Sequence, residues 1–167
     1  MNARFAWCFL TCILLAPAWA DQSQPAGSAP AASAQRRPSP PGAEVAIVNI
    51  KDGAVVAATF LVQFSVTGMD IAPAGTDIPN TGHHHLLIDV EELPDPNLPV
   101  PKNEHFMHFG GGQTEVELTL PPGEHTLQLV FADYAHVPHN PVVKSIPITI
   151  VVAEGAEAVQ TGQDKTP

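Results

Sequence analysis

Histidine is the residue type with which this 167-residue sequence is best equipped to do chemistry. Of its eight histidines, three stand together as His83-His84-His85, directly ahead of the apolar run Leu86-Leu87-Ile88. Neutral imidazole is a leading ligand for copper(II), zinc, nickel and iron(II). A triple of adjacent histidines is nevertheless not a ligand set by itself. On an extended strand successive side chains point to opposite faces, so His84 leaves on the side of Leu86 and Ile88, and at most His83 and His85 serve one site. Further ligands must come from elsewhere: His108 lies ahead of Gly110-Gly111-Gly112, while His136 and His139 follow Asp133 in a Pro-containing stretch. The candidate site is therefore His83 or His85 with His108, His136 and His139, with Asp133 as a ligand or as an acceptor that orients one. His105 is a looser candidate. The cofactor expected is a divalent transition metal, copper(II) or zinc. The alternative is a metal-free interaction module in which the histidines are structural or respond to pH. No His-Glu-x-x-His spacing is present, and Ser65 and Ser145 sit in strand patterns rather than in a nucleophile elbow, so no enzymatic activity is expected.

These side chains must be positioned by strands, because 18 prolines and 12 glycines leave little room for long helices. Period-two alternation predicts strands over Val45–Ile50, Ala54–Thr67 (with a break near Ala57), His83–Val90, Gln113–Leu120, Glu124–Asp133 and Lys144–Ala153, with a short, weaker one over Glu104–Phe109. Residues 68–82 and the stretch Tyr134–Val143 read as loops, and Glu91–Asn103, with four prolines, as an extended connection. Pro147 inside the last strand predicts a sheet edge or a bulge. About seven short strands without helical periodicity fit an all-β, immunoglobulin-like β-sandwich.

That architecture brings the scattered histidines together. If the strand ending at Thr67 runs upward, the His83 strand starts at the top, the strand ending at Asp133 finishes there, and the strand from Gln113 must start there to reach the Pro121-Pro122-Gly123 corner below. All the histidines except His125 are then expected at one end of the sandwich.

The chain ends carry different signals. Residues 1–20 combine Arg4, an apolar core and Ala18-Trp19-Ala20, which is the pattern of a cleavable secretory signal cut after Ala20. Its apolar core is short of the roughly 20 residues a membrane-spanning helix needs, so no membrane insertion is expected after cleavage. Residues 21–42 are Pro/Ala/Ser-rich and read as a disordered linker, residues 43–153 as the sandwich, and residues 154–167 as a disordered acidic tail. Localisation is expected to be periplasmic or secreted. Both cysteines, Cys8 and Cys12, fall in the leader, which excludes thiolate ligands from the mature chain and disfavours copper(I). The chain carries 7 Lys+Arg against 17 Asp+Glu for a formal charge of −10, and loss of Arg4 with the leader makes it −11. Such a surface repels nucleic acid; the partners expected are a metal ion and another periplasmic protein.

Four ordered motifs add a resemblance. Gly82-His83-His84-His85-Leu86-Leu87-Ile88-Asp89, then His108-Phe109-Gly110-Gly111-Gly112-Gln113-Thr114-Glu115, then Leu120-Pro121-Pro122-Gly123-Glu124-His125-Thr126-Leu127-Gln128-Leu129, then Asp133 with His136-Val137-Pro138-His139-Asn140-Pro141 are similar to the bacterial family called domain of unknown function 4399. The similarity covers about residues 60 to 152. It implies an exported bacterial protein and carries no activity with it. The sequence departs from the family pattern at Tyr134, where a further histidine is expected after the aspartate.

Overall fold

A computed structural model describes residues 36–154; the signal-peptide reading, most of the linker reading and the tail beyond Glu154 lie outside the described residues. The described chain is all-β. Ten strands, rather than about seven, form two sheets: β1 (Glu44–Ile47), β2 (Ala54–Val56), β3 (Thr59–Thr67), β4 (Asp70–Ile71), β5 (Thr81–Ile88), β6 (Phe106–His108), β7 (Glu115–Thr119), β8 (Gly123–Ala132), β9 (Pro138–Lys144) and β10 (Ile148–Val152). A three-stranded sheet runs β1-β3-β7, and a larger sheet runs β2-β10-β8-β5-β4, with β6 added to β5 and β9 added to β8. The two pack face to face as a sandwich.

Alternation explains the main core. Val62 and Phe64 of β3, Leu118 of β7, Leu86 and Ile88 of β5, Leu127, Leu129 and Phe131 of β8 and Ile150 of β10 meet between the sheets. The break near Ala57 is real and has a topological meaning: β2 pairs with β10 in the larger sheet, whereas β3 pairs with β1 and β7 in the smaller one. The chain changes sheets at that point.

Three expectations are corrected. The loop over 68–82 contains β4 and the start of β5. The stretch Tyr134–Val143 is not all loop, since β9 occupies its second half and pairs with β8 through Val130↔Lys144 and Phe131↔Val143. Pro147 does not mark an edge: β10 starts after it and lies between β8 and β2. The edge proline is Pro141 of β9, a strand paired on one side only by another strand and so able to spare an amide donor.

The larger sheet is also covered on its outer face. Leu87, Val130 and Ala132 point away from the main core, into a second cluster with Val100, Leu93, Val90 and Phe106 from the proline-rich connection and β6. As a result all eight residues of β5 are buried, those facing each way alike. Residues 36–39, assigned to the linker by composition, lie alongside β9: Asn140 donates its amide to the Arg37 carbonyl (2.7 Å), Ser39 donates to the Asn140 carbonyl (3.1 Å), and the Arg36 guanidinium donates to the Pro138 and His139 carbonyls.

Register in the centre of the sheet depends on Gly82. A Cβ there would stand 2.3 Å from the Ala132 carbonyl oxygen and 2.8 Å from Phe131 Cε1, and the oxygen belongs to a backbone that cannot turn aside without opening the β5–β8 ladder. Gly82→Ala is expected to cost about 3 kcal/mol, read as a lower urea midpoint at unchanged slope. An unchanged midpoint would show that β8 can shift at no cost.

Candidate metal centre

The site grows out of the pairing of β5 with its neighbours. His83 lies opposite Ala132 and His85 opposite Val130 on β8, while His85 also lies opposite His108 on β6. Residues two apart on a strand share a face, and directly paired residues share it too. His83, His85 and His108 therefore converge by register alone. Their ligand nitrogens all lie within 4.8 Å of one another. His136 joins them from the turn after β8, its ring centroid 4.6 Å from that of His108, 5.0 Å from His83 and 6.0 Å from His85.

Two loops hold this arrangement. The turn from Asp133 is clasped by its own carboxylate: Oδ1 accepts the amides of Ala135 (2.9 Å) and Val137 (3.0 Å), and the His136 amide donates to the Asp133 carbonyl (2.9 Å). This closure places His136 in the left-handed region at φ 68°, an uncommon conformation for a residue with a side chain. Asp133 thus serves the backbone of the turn that presents His136. Residues 72–75 then stitch the edges of the site together, with Ala72 donating to the Gly82 carbonyl, Ala74 to that of Gly110 and Gly75 to that of Tyr134.

The other histidines separate from this group. His84 faces the main core between Phe64 (5.4 Å between ring centroids) and Phe131 (5.1 Å), as alternation requires. His139 is fully buried beside Phe131, to whose carbonyl its Nδ1 donates over 3.4 Å; it is not among the three whose ligand atoms converge. The expectation that His105 shares this end is corrected. Its Nδ1 donates to the Ile88 carbonyl at the far end of β5 (3.0 Å), because β6 runs antiparallel to β5 and starts there. His125 is at that end as expected, donating from Nδ1 to Asp89 Oδ2 (2.8 Å) and from Nε2 to the Pro121 carbonyl (2.9 Å). With acceptors at both nitrogens it favours the imidazolium, and although burial works against the charge, these partners raise its pKa above the usual value.

The environment at the top favours the neutral form of His83, His85 and His108. Burial, then the neighbouring His108 and His136, push His83 from 6.5 down to about 3; burial, then His83 and His108, push His85 to about 2. Burial also lowers His108, with further lowering from His136 and Lys102. Neutral imidazole is the form that ligates metals. It also exposes a deficit. His83 and His85 share one contact, Nε2 to Nε2 at 3.1 Å, but His83 Nδ1, His85 Nδ1 and His108 Nε2 are buried with no hydrogen-bond partner. Each buried polar group left unpaired costs about 1–3 kcal/mol, so a cluster of them asks for an explanation.

The 3.1 Å contact is also a coordination distance. Two nitrogens each about 2.0–2.1 Å from a zinc ion subtend about 100° at it when they stand that far apart, near the tetrahedral value. A tetrahedral site has an edge of about 3.3 Å, and of the trio, whose ligand atoms lie within 4.8 Å, His108, half-buried and at the end of a short strand, is the one placed to adjust. Gly110 sets its place: a Cβ there would fall 2.3 Å from His108 Cε1 and 2.5 Å from Nε2. Gly110→Ala is expected to displace that imidazole and weaken metal binding by about 10–100-fold, with less than about 1 kcal/mol lost from the metal-free fold. Metal titration of the variant checks this, and wild-type affinity would remove His108 from the site.

Sequence reasoning found His83, His85, His108 and His136 through strand alternation and end-matching. It missed that the pair on β5 is sealed rather than outward-facing. The apolar residues Leu93 and Val100 in the proline-rich connection were the available signal that this segment covers the sheet.

A family model described as domain of unknown function (DUF4399) matches residues 62–153. The match is just over half the chain, begins inside β3 and contains every histidine of the sequence. No curated protein and no solved structure matches the chain.

Proposed function

The chain belongs to the DUF4399 family, which brings no activity with it, and from the geometry of the site we propose that the protein is an exported periplasmic carrier that binds one divalent transition metal, copper(II) or zinc. The observation that carries the reading is the convergence of His83, His85 and His108 within 4.8 Å, in neutral form, with three ring nitrogens left without partners in a buried setting. A bound ion would take the place of the single contact that His83 and His85 share through Nε2 and would give His108 Nε2 the partner it lacks. His83 and His85 belong to the central part of the sheet, so two ligands are held rigidly before the ion arrives. The 3.1 Å separation of their Nε2 atoms supports bent coordination; a linear copper(I) pair would need about 4 Å between nitrogens.

Storage, delivery or sensing of the ion suits a site whose ligands His83 and His85 are sealed in the sheet. A cavity lined by Leu93, Pro94, Pro96, Val130, Pro138 and Val142 is apolar. The leader pattern of residues 1–20 supports export to the periplasm, and another periplasmic protein is the natural source or recipient of the ion.

The test is direct. The mature chain, purified without an affinity tag, is titrated with copper(II) and with zinc, and its melting temperature is followed with metal and with chelator. At one hundred times Kd a ligand specific to the native state contributes about 2.7 kcal/mol, a shift on the order of 10 °C for a domain of this size. Binding weaker than millimolar with no thermal shift overturns the proposal in favour of a metal-free module.

A further inference from the structure

Resting on that reading, we infer that the ion held by His83, His85 and His108 keeps one coordination position open on the side of His136, and that this position takes a small exogenous anion.

His83 and His85 are fixed by the central strand, and His108 adjusts beside them. The trio comes from two hydrogen-bonded strands, in register at His85↔His108. His136 comes from a separate turn, and its ring is set to one side, near His108 and His83 and a full 6.0 Å from His85. Its ligand atoms fall outside the set that lies within 4.8 Å. A three-histidine set with a free fourth place is the pattern of sites that exchange a ligand rather than of closed structural ones. His136 then faces whatever fills that place, and can donate to it.

Charge supplies the second strand of the argument. All three ligands are neutral, so a divalent ion would keep its whole charge inside the fold. Asp133, in the turn that presents His136, has Oδ1 committed to the amides of Ala135 and Val137. A buried charge without a partner is costly, and an anion from solution would offset it. The path in is also defined: His83 and His85 are sealed at 0% and 1% exposure, whereas His108 and His136 are only half-buried.

Azide is the probe. The full mature chain is loaded with one equivalent of copper(II), and azide is titrated while the azide-to-copper charge-transfer absorption and the electron paramagnetic resonance spectrum are followed. The expected result is a saturable new band with one azide per copper. His136→Phe, which keeps a ring and loses the N–H, is expected to weaken azide roughly tenfold. Copper that binds but gives no azide band overturns the inference, because the fourth place is then filled by His136 itself. Azide that binds equally well or more tightly in His136→Phe overturns the role given to His136. If copper does not bind at all, the metal reading fails together with this one, so the two failures are distinguished by the copper titration alone.

Discussion

Replacing His83 and His85 together by Leu is expected to leave the metal-free domain at least as stable as the wild type and to abolish every metal-dependent change in its melting temperature. The two side chains are fully buried and exchange a single hydrogen bond, while their Nδ1 atoms have no partner. Removing both ends of a buried polar contact in favour of apolar groups of similar size is near neutral or stabilising, whereas removing one end leaves the other unpaired. Their neighbours on that face of the sheet, Leu87, Val130 and Ala132, already form an apolar cluster that Leu would extend. The variant therefore separates function from fold. A pair that is only structural leaves any metal-dependent shift in place; a metal pair predicts loss of the shift of order 10 °C. Paired melts in chelator and in metal decide the matter. His125→Ala, at the opposite end, should leave the metal response in place.

Acid should unfold the metal-free protein early. His83 and His85 have folded-state pKa values pushed down to about 3 and about 2 from 6.5, chiefly by burial. Between pH 6.5 and those values the unfolded chain takes up protons that the native state refuses, so stability falls as the pH falls. Each group contributes about 1.4 kcal/mol per pH unit inside that window, and at pH 5 the two together remove about 4 kcal/mol, a large share of the 5–15 kcal/mol typical of a domain. His84 and His139, also lowered by burial, act in the same direction. His125 works the other way: its pKa is raised, so its contribution is present below 6.5 and is lost as the pH rises through its folded value. With His108, also lowered, the five lowered groups outweigh it. Urea unfolding in chelator at pH 7, 6 and 5 should show the midpoint dropping steeply, and His83→Leu/His85→Leu should be flatter by the share of those two residues. Equal midpoints at pH 7 and pH 5 would mean the imidazoles are reached by water.

The legible part of this protein was what obeys local alternation. The opposite headings of His84 and its two neighbours, the sheet change near Ala57, and the placing of His108 and His136 at the top all follow from strand period and from counting reversals. What escaped was structure held by non-local pairing. β4 is two residues long and exists through its register with Thr81 and Gly82. β9 begins with a proline and contains another, a composition that signals loop unless the strand is known to lie at an edge. His105 was misplaced because β6 is too short for alternation to give its direction. Asp133 was legible by type as a ligand or as an acceptor that orients one, and the turn geometry adds that its Oδ1 accepts the amides of Ala135 and Val137.

The segment 36–39 beside β9 has a consequence for behaviour at high concentration. An uncovered strand edge offers free amides and carbonyls to a second chain and is a route to edge-to-edge aggregation. Here Asn140, in the outermost strand, is already engaged from both backbone atoms by Arg37 and Ser39, the Pro38 pairing runs parallel to the strand, and Pro141 offers no donor. The segment 36–39 is thus the edge guard of β9. Trimming the chain past Ser39 to obtain a compact domain would accordingly be a recipe for self-association rather than for a better-behaved protein.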